Sequence, residues 1–270
     1  MILKWGENVM KKNNVIAVIN NKGGVGKTTC TAGLSIALAE QGFKILAIDT
    51  DPQGNLSRLF GFEPKEERQE TLYHCINNVL KSGEYETSNF ILDTDDKNID
   101  LLVGDINLTA NRIEVERALT KFNFIYKKII ESIKKDEKYD FIIFDTCPSL
   151  GAENSQILVA AEYIIIPSTT GRNSVEGIDQ LIDFYNSCKE VNSSLKMIGI
   201  LLNNVNVNSS VSKDIIPMLR ETYSGYMFNT IVERSVAAEK MEWTGMKPSK
   251  NKIYNAFIDI AKEVLIKIGK

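Results

Sequence analysis

Histidine is almost missing: His74 is the only one in 270 residues. A zinc site draws on three or four clustered His, Cys or carboxylate ligands, and no such cluster can be read from the sequence. The four cysteines, Cys30, Cys75, Cys147 and Cys188, stand far apart with no pair at C-x-x-C spacing. That excludes a disulfide scaffold and points to reduced thiols in a cytoplasmic protein. No run approaches the roughly 18 apolar residues of a spanning helix, and residues 1–12 lack the apolar core of a signal peptide. Charge of one sign is also scarce. The 32 Lys and Arg face 35 Asp and Glu, a net −3, so bulk positive charge does not drive nucleic-acid binding. Any such contact has to come from a local patch.

What is present is a globular composition, 43% apolar and 25% charged, in a chain long enough to bury its own core. Residues 15–19 form a β-branched run closed by Asn20, Asn21 and glycines, which predicts a buried strand. Residues 28–41 repeat apolar side chains at helical spacing and stop at Gly42. Residues 44–48 predict a second strand running into Asp49. Further strands are predicted at 99–103, 139–144, 163–167, 196–202 and 227–232. Helices are predicted at 109–135, 152–161, 174–190, 209–222, 234–243 and 249–268. Alternation of the two predicts an α/β fold, a doubly wound, mostly parallel sheet with helices on both faces. Residues 15–270 read as one domain behind a tail at 1–14, with 63–98 as a polar excursion. The tail is too short for a helix-turn-helix domain, and Met10 is an alternative start.

Chemistry concentrates in Lys22-Gly-Gly-Val-Gly-Lys-Thr-Thr29, between the first strand and helix. Glycines let the N–H groups of Gly23, Gly24, Val25 and Gly26 turn inward around phosphate oxygens, and the following helix offers its positive end. Lys27 then reaches the β- and γ-phosphates, the Thr28 hydroxyl ligates Mg²⁺, and Thr29 meets the α-phosphate. ATP and Mg²⁺ are the cofactors this predicts, in a P-loop NTPase fold. The spacing departs from G-x-x-x-x-G-K-T, because Asn21 stands where the first glycine belongs and Lys22 adds a second lysine. Asp145 ends an apolar strand, where ligands approach open α/β sheets, and is read as holding the metal's water shell. Asp49 and Asp51 flank one residue at another strand end and so point the same way. Asn203, at the end of the 196–202 strand, either meets a nucleobase edge or is a turn residue.

The K-G-G-x-G-K-T-T loop resembles the deviant phosphate loop of the ParA/MinD group of ATPases. Asp49-Thr-Asp-Pro-Gln-Gly-Asn55 is similar to that group's first switch. Residues 141–151 are similar to its Walker B strand and second switch, D-x-P-P-S-L-G, with Cys147 where proline is common. The D-P-Q-G-N run narrows the likeness to the ParA/Soj partition branch, and the likeness extends from about residue 15 to the C-terminus.

The resemblance implies a slow, Mg-dependent ATP hydrolase that forms a nucleotide-sandwich homodimer. In it Lys22 reaches the partner's phosphates, Asp51 orients the attacking water and Asp49 supports the magnesium hydration shell. It further implies non-specific DNA binding in the ATP form, association with the nucleoid, stimulation by a ParB-like protein, and DNA segregation as the task. Candidate DNA contacts are Arg220, Arg234, Lys247, Lys250 and Lys252. Residues 245–270 carry six lysines against Asp259 and Glu263, which alternatively make a plain solvated helix face. Where the family often reads P-R-N-V-R, residues 233–237 keep Arg234 and lose the second arginine. The competing reading is a MinD-like membrane-cycling ATPase using residues 254–268 as an amphipathic helix, although their apolar density suits a core helix better. A nitrogenase-iron-protein-like reductase would need a second cysteine placed to join Cys147. An ATP-dependent ligase shares the fold, and tyrosine autokinases would end in clustered tyrosines, which are missing here.

Overall fold

Strands β1 (Asn14–Val18), β2 (Ile45–Asp49) and β5 (Phe141–Asp145) are buried at every position. Strands covered on both faces require such unbroken runs, and their side chains divide by alternation. Val15 and Ala17 enter one core and Ile16 and Val18 the other; Ile142 and Phe144 oppose Phe141 and Ile143 in the same way. The computed structural model describes residues 13–63, 70–81, 86–110, 124–235 and 252–269. Its sheet has seven strands, completed by β3 (Ile91–Asp93), β4 (Ile99–Leu102), β6 (Tyr163–Ser168) and β7 (Lys196–Leu202). The order is β3-β4-β2-β5-β1-β6-β7, parallel except for β3 against β4. The predicted doubly wound α/β class holds.

Helices α1 (Lys27–Glu40) and α9 (Lys252–Lys267) cover one face. The other carries α3 (Leu72–Lys81), α5 (Ile125–Lys134), α6 (Ala152–Ala160), α7 (Arg172–Val191) and α8 (Ser210–Thr222). Two short helices, α2 (Asn55–Leu59) and α4 (Asn107–Ala110), follow β2 and β4 at the C-terminal edge of the sheet. Helix α9 sits so close to α1 that a Cβ on Gly33 would stand 2.4 Å from the Phe257 ring. Its Ile253, Phe257, Ile260, Val264 and Leu265 are buried there, so the terminal helix is a core helix. No helix among the described residues is long and apolar enough to cross a membrane.

Three expectations change. The stretch 63–98 holds α3, a 3₁₀ turn at Thr87–Phe90 and the antiparallel edge strand β3, which at three residues is too short to announce itself by alternation. Residues 227–232 make only an isolated bridge, Met227 to Ile200, and scattered bonds to β7: Gly199 lets the Tyr226 carbonyl approach and accept from Ile200 N, and Val232 N donates to Leu202 O (2.9 Å). Of the predicted helix 109–135, the last turns form α5, which starts after Phe124 at φ 89°, and residues 111–123 lie outside the described part. Residues 234–235 are not helical, and the rest of that predicted helix lies outside the described residues, as do 1–12 of the tail.

At the edge opposite the strand ends that carry the site, buried Asp100 accepts from Lys44 Nζ (3.1 Å), Lys138 Nζ (2.7 Å) and the Tyr139 hydroxyl (2.7 Å). Burial alone would push this carboxyl up, but these donors hold it below the usual carboxylate value. Its contribution to stability is therefore present above the ordinary carboxylate range and is lost as pH falls through and below it. Asp100→Ala should lower the unfolding free energy by about 2 kcal/mol at pH 7, because it strands the Tyr139 hydroxyl and removes two charge-assisted hydrogen bonds. In urea melts the gap to the parent should narrow at pH 3.

Candidate functional site

The phosphate loop is fastened from both sides. Asn20, fully buried after β1, donates through Nδ2 to Pro167 O (2.7 Å), and its Oδ1 accepts from Lys22 N (2.9 Å). Asn203, after β7, donates from its backbone N to Ser168 O (2.8 Å) and from Nδ2 to Val25 O (2.9 Å). Gly26 has φ 84°, and a Cβ there would stand 2.0 Å from Asn203 Nδ2, so only glycine fits. At Gly23 and Gly24 the space is open. No side chain caps α1, which leaves its first N–H groups facing the loop.

Lys27 opens α1 with its side chain turned in, and Nζ donates to Lys22 O at 3.0 Å. Burial lowers its pKa, against the opposing pull of Asp145 and Asp51. Asp145 is fully buried; Thr31 Oγ1 donates to its Oδ1 (3.4 Å), and the Thr28 hydroxyl nearby favours its charged form. Its Oδ2 is buried without a partner. Asp49 pairs with it in register across β2 and β5. Asp49 Oδ2 accepts from Ser57 N (2.8 Å) and Ser57 Oγ (2.7 Å), and Oδ1 accepts from Asp51 N (3.2 Å). Burial pushes Asp49 up to about 6, with Ser57 pulling the other way and Asp51 adding to the rise. Asp145 is pushed well up by burial first and by Asp49 second.

Beside them opens a cleft of about 530 Å³, which Lys27 and Asn203 line and the buried Asp49 and Asp145 side chains do not. Its walls include Gly23, Gly24, Gly26, Lys27, Thr28 and Thr29 from the loop, Asp51, Asn55 and Arg58 from the turn and helix after β2, and Asn203, Asn204 and Arg234 opposite. An idle buried carboxylate oxygen beside a threonine hydroxyl and an ammonium group, under an open glycine edge, fits phosphate oxygens and a hydrated divalent cation. Among the described residues no three His, Cys, Asp or Glu side chains could hold a metal directly.

Other predicted residues fall elsewhere. Lys22 does not line the cleft; its side chain runs along α7, where a Cβ on Gly177 would stand 3.3 Å from Lys22 Cε. Arg234, expected on a basic face, lines the cleft instead, because its backbone N donates to Val205 O (2.9 Å) and brings the chain across the mouth. Arg220 ends α8 with Nη2 donating to Asn229 O (3.0 Å), and Lys252 starts α9 exposed. Lys247 and Lys250 lie outside the described residues. Part of the charge on α9 is used internally, since Lys262 pairs with Asp259 (2.7 Å). Cys147 is pushed up to about 12 by burial and by Glu153, the reverse of what a metal-binding thiolate needs. Sequence reasoning missed Ser57, Thr31 and Asn20. Of these only Asn20 carried a signal, as a polar residue closing an apolar strand.

A glycine loop joining the central strand to α1, with buried aspartates ending two neighbouring strands, defines a P-loop NTPase. The chain belongs to the AAA_31 family (AAA domain), whose profile matches residues 13–197, and it is a ParA/MinD-type P-loop ATPase. It is 34% identical over 260 residues to Uncharacterized protein MJECL24 of Methanocaldococcus jannaschii, covering 93% of this chain and 98% of that one. With chromosome partitioning protein ParA of Caulobacter vibrioides it shares 27% over 257 residues, 93% of each. A crystal structure of cobyrinic acid a,c-diamide synthase from Mycobacterium smegmatis, with bound ADP and magnesium, superposes with a TM-score of 0.78 at 26% identity and 94% coverage of both chains.

Both buried carboxyls favour the protonated form in the folded chain. Their contribution to the stability of the nucleotide-free protein should therefore be greatest below the ordinary carboxylate range and be lost as pH rises through about 6. Asp145→Asn should raise the unfolding free energy by about 1–2 kcal/mol at pH 8 and by far less at pH 4, at the expense of function. Urea melts at the two pH values read this; equal shifts would refute it.

Proposed function

We propose that the chain is a ParA-like ATPase that binds ATP and Mg²⁺ in this cleft and closes around them as a homodimer. It hydrolyses ATP slowly and uses the ATP-bound dimer to hold DNA non-specifically, in segregating a plasmid, chromosome or mobile element. The observation that carries the nucleotide site is Asp145, fully buried with Oδ2 unpartnered beside Thr28 and Lys27. A buried carboxylate left idle is costly, and a ligand that uses it repays the strain.

Bound Mg·ATP supplies a γ-phosphate whose transfer to water needs charge neutralisation and a placed nucleophile rather than covalent chemistry. The N–H groups of Gly23, Gly24, Val25 and Gly26 enclose phosphate oxygens. Lys27 exchanges the Lys22 carbonyl for the β- and γ-phosphates, and Thr29 binds the α-phosphate. Thr28 holds the metal, Asp145 and Asp49 its waters, and Asp51 orients the attacking water. Lys22 lies outside its own cleft, which supports a role over the partner's phosphates, where it adds positive charge only on closure. Asn203, anchored on Val25, borders the base end. Arg220, Arg234, Lys247, Lys250 and Lys252 remain the candidate DNA contacts, and a ParB-like protein the stimulating partner. Burial of the apolar face of α9 against α1 favours DNA over a membrane as the surface on which the protein cycles. A second reading, an ATP-dependent ligase, is favoured by the likeness to the diamide synthase.

Lys27→Ala should weaken nucleotide binding by roughly 10- to 100-fold in calorimetry. Asp51→Ala should keep ATP, accumulate as dimer and hydrolyse roughly 100-fold more slowly. Lys22→Ala should bind nucleotide yet stay monomeric in size-exclusion chromatography with ATP.

DNA binding followed through a salt titration, with ATP, ADP or no nucleotide, tests the whole reading. Only the ATP form should bind, losing affinity steeply as salt rises. Nucleotide-independent binding, or none at low salt, would leave the ligase reading standing.

A further inference from the structure

The turn that carries Asp51 is closed by a side chain from the helix that follows it. Asp51 Oδ1 accepts from Gln53 N (2.9 Å) and Asp51 O accepts from Gly54 N (2.8 Å), with Gly54 in the left-handed region at φ 64°. The other side of the Gln53 peptide is not left to solvent. Arg58 reaches back from α2, and its Nη1 donates to Gln53 O (2.6 Å) and to Asn55 Oδ1 (3.2 Å). Its Nε faces Glu63 Oε2 at 3.4 Å, an exposed pair that holds the guanidinium weakly. Asn55 and Arg58 point one way from α2 and line the cleft. Ser57, between them, points inward to Asp49.

We infer that Arg58 is a positioning residue for Asp51: by bridging Gln53 O and Asn55 Oδ1 it fixes the turn on which the Asp51 carboxylate is mounted. The inference rests on the proposed role of Asp51 in orienting water. The geometry explains why an arginine serves here. A rigid, planar guanidinium spans a backbone carbonyl, a side-chain amide and a carboxylate together, whereas one lysine ammonium is a point charge that cannot. Both atoms that Arg58 grips belong to the switch loop rather than to the phosphate loop. Its removal therefore loosens the carboxylate without removing a phosphate ligand.

Arg58→Ala and Arg58→Lys test this in the full-length chain. In the nucleotide-free protein, hydrogen–deuterium exchange over residues 51–57 should quicken about tenfold in Arg58→Ala and less in Arg58→Lys. Saturating Mg·ATP should reveal a kcat about tenfold lower, with affinity for a non-hydrolysable ATP analogue within twofold of the parent. In an Asp51→Ala background, adding Arg58→Ala should lower kcat no further. Unchanged exchange overturns the clamp whether or not the parent hydrolyses ATP. A fall in analogue affinity matching the fall in kcat also overturns it, making Arg58 a nucleotide ligand. If the parent lacks ATPase activity, the proposed function fails, and the exchange result alone decides whether Arg58 orders the turn.

Discussion

Asp49 and Asp145 end neighbouring strands in register, and neither side chain reaches water. Two carboxylates so placed repel each other, and their burial removes the hydration that would screen them. The fold offers partial compensation. Ser57 gives Asp49 two hydrogen bonds, Thr31 gives Asp145 one, and the Lys27 ammonium stands close enough to pull on Asp145. One oxygen is still left over. The rest of the site follows from this incomplete neutralisation, because a sheet that buries two acids at its carboxyl edge is most stable when positive charge arrives there.

Such a pair survives only in a stiff surround. The strands that carry it are central, covered by α1 and α9 on one face and by α3 and α5 to α8 on the other. Ser57 Oγ donates to Asp49 and accepts from Gly104 N (2.9 Å), tying α2 to the end of β4. A Cβ on Gly104 would stand 3.0 Å from the Asp49 carboxyl carbon, so the backbone there is pressed against the acid. The switch turn is thus mounted on a fully buried strand end, while its outer side, through Asn55, faces the cleft.

The central strands were legible because β-branched runs bounded by glycine and asparagine have few alternatives, and the phosphate loop because Gly26-Lys27-Thr28 admits few other uses. What stayed hidden depends on contacts between residues distant in sequence. Nothing near Gly177 announces that the Lys22 side chain lies along it, and nothing near Ser57 announces Asp49. β3 is too short for period-two alternation, and its pairing with β4 follows from the hairpin of 94–98 rather than from its own residues. Arg234 was misplaced for a related reason. A basic residue between strand and helix patterns reads as surface, yet the Val205–Glu233 bridge swings it over the cleft.

The two lysines of the loop show how little sequence proximity decides. Only four residues separate Lys22 from Lys27, yet the glycines between them reverse the chain, so one ammonium is buried below the cleft and the other lies outside it along α7. Lys27 donates to the very carbonyl that Lys22 contributes, so a ligand that claims the Lys27 ammonium also removes a restraint on the Lys22 peptide. The buried lysine answers to Asp145 beneath it. The outer one packs along Gly177 of α7, away from the phosphate-facing side of the loop.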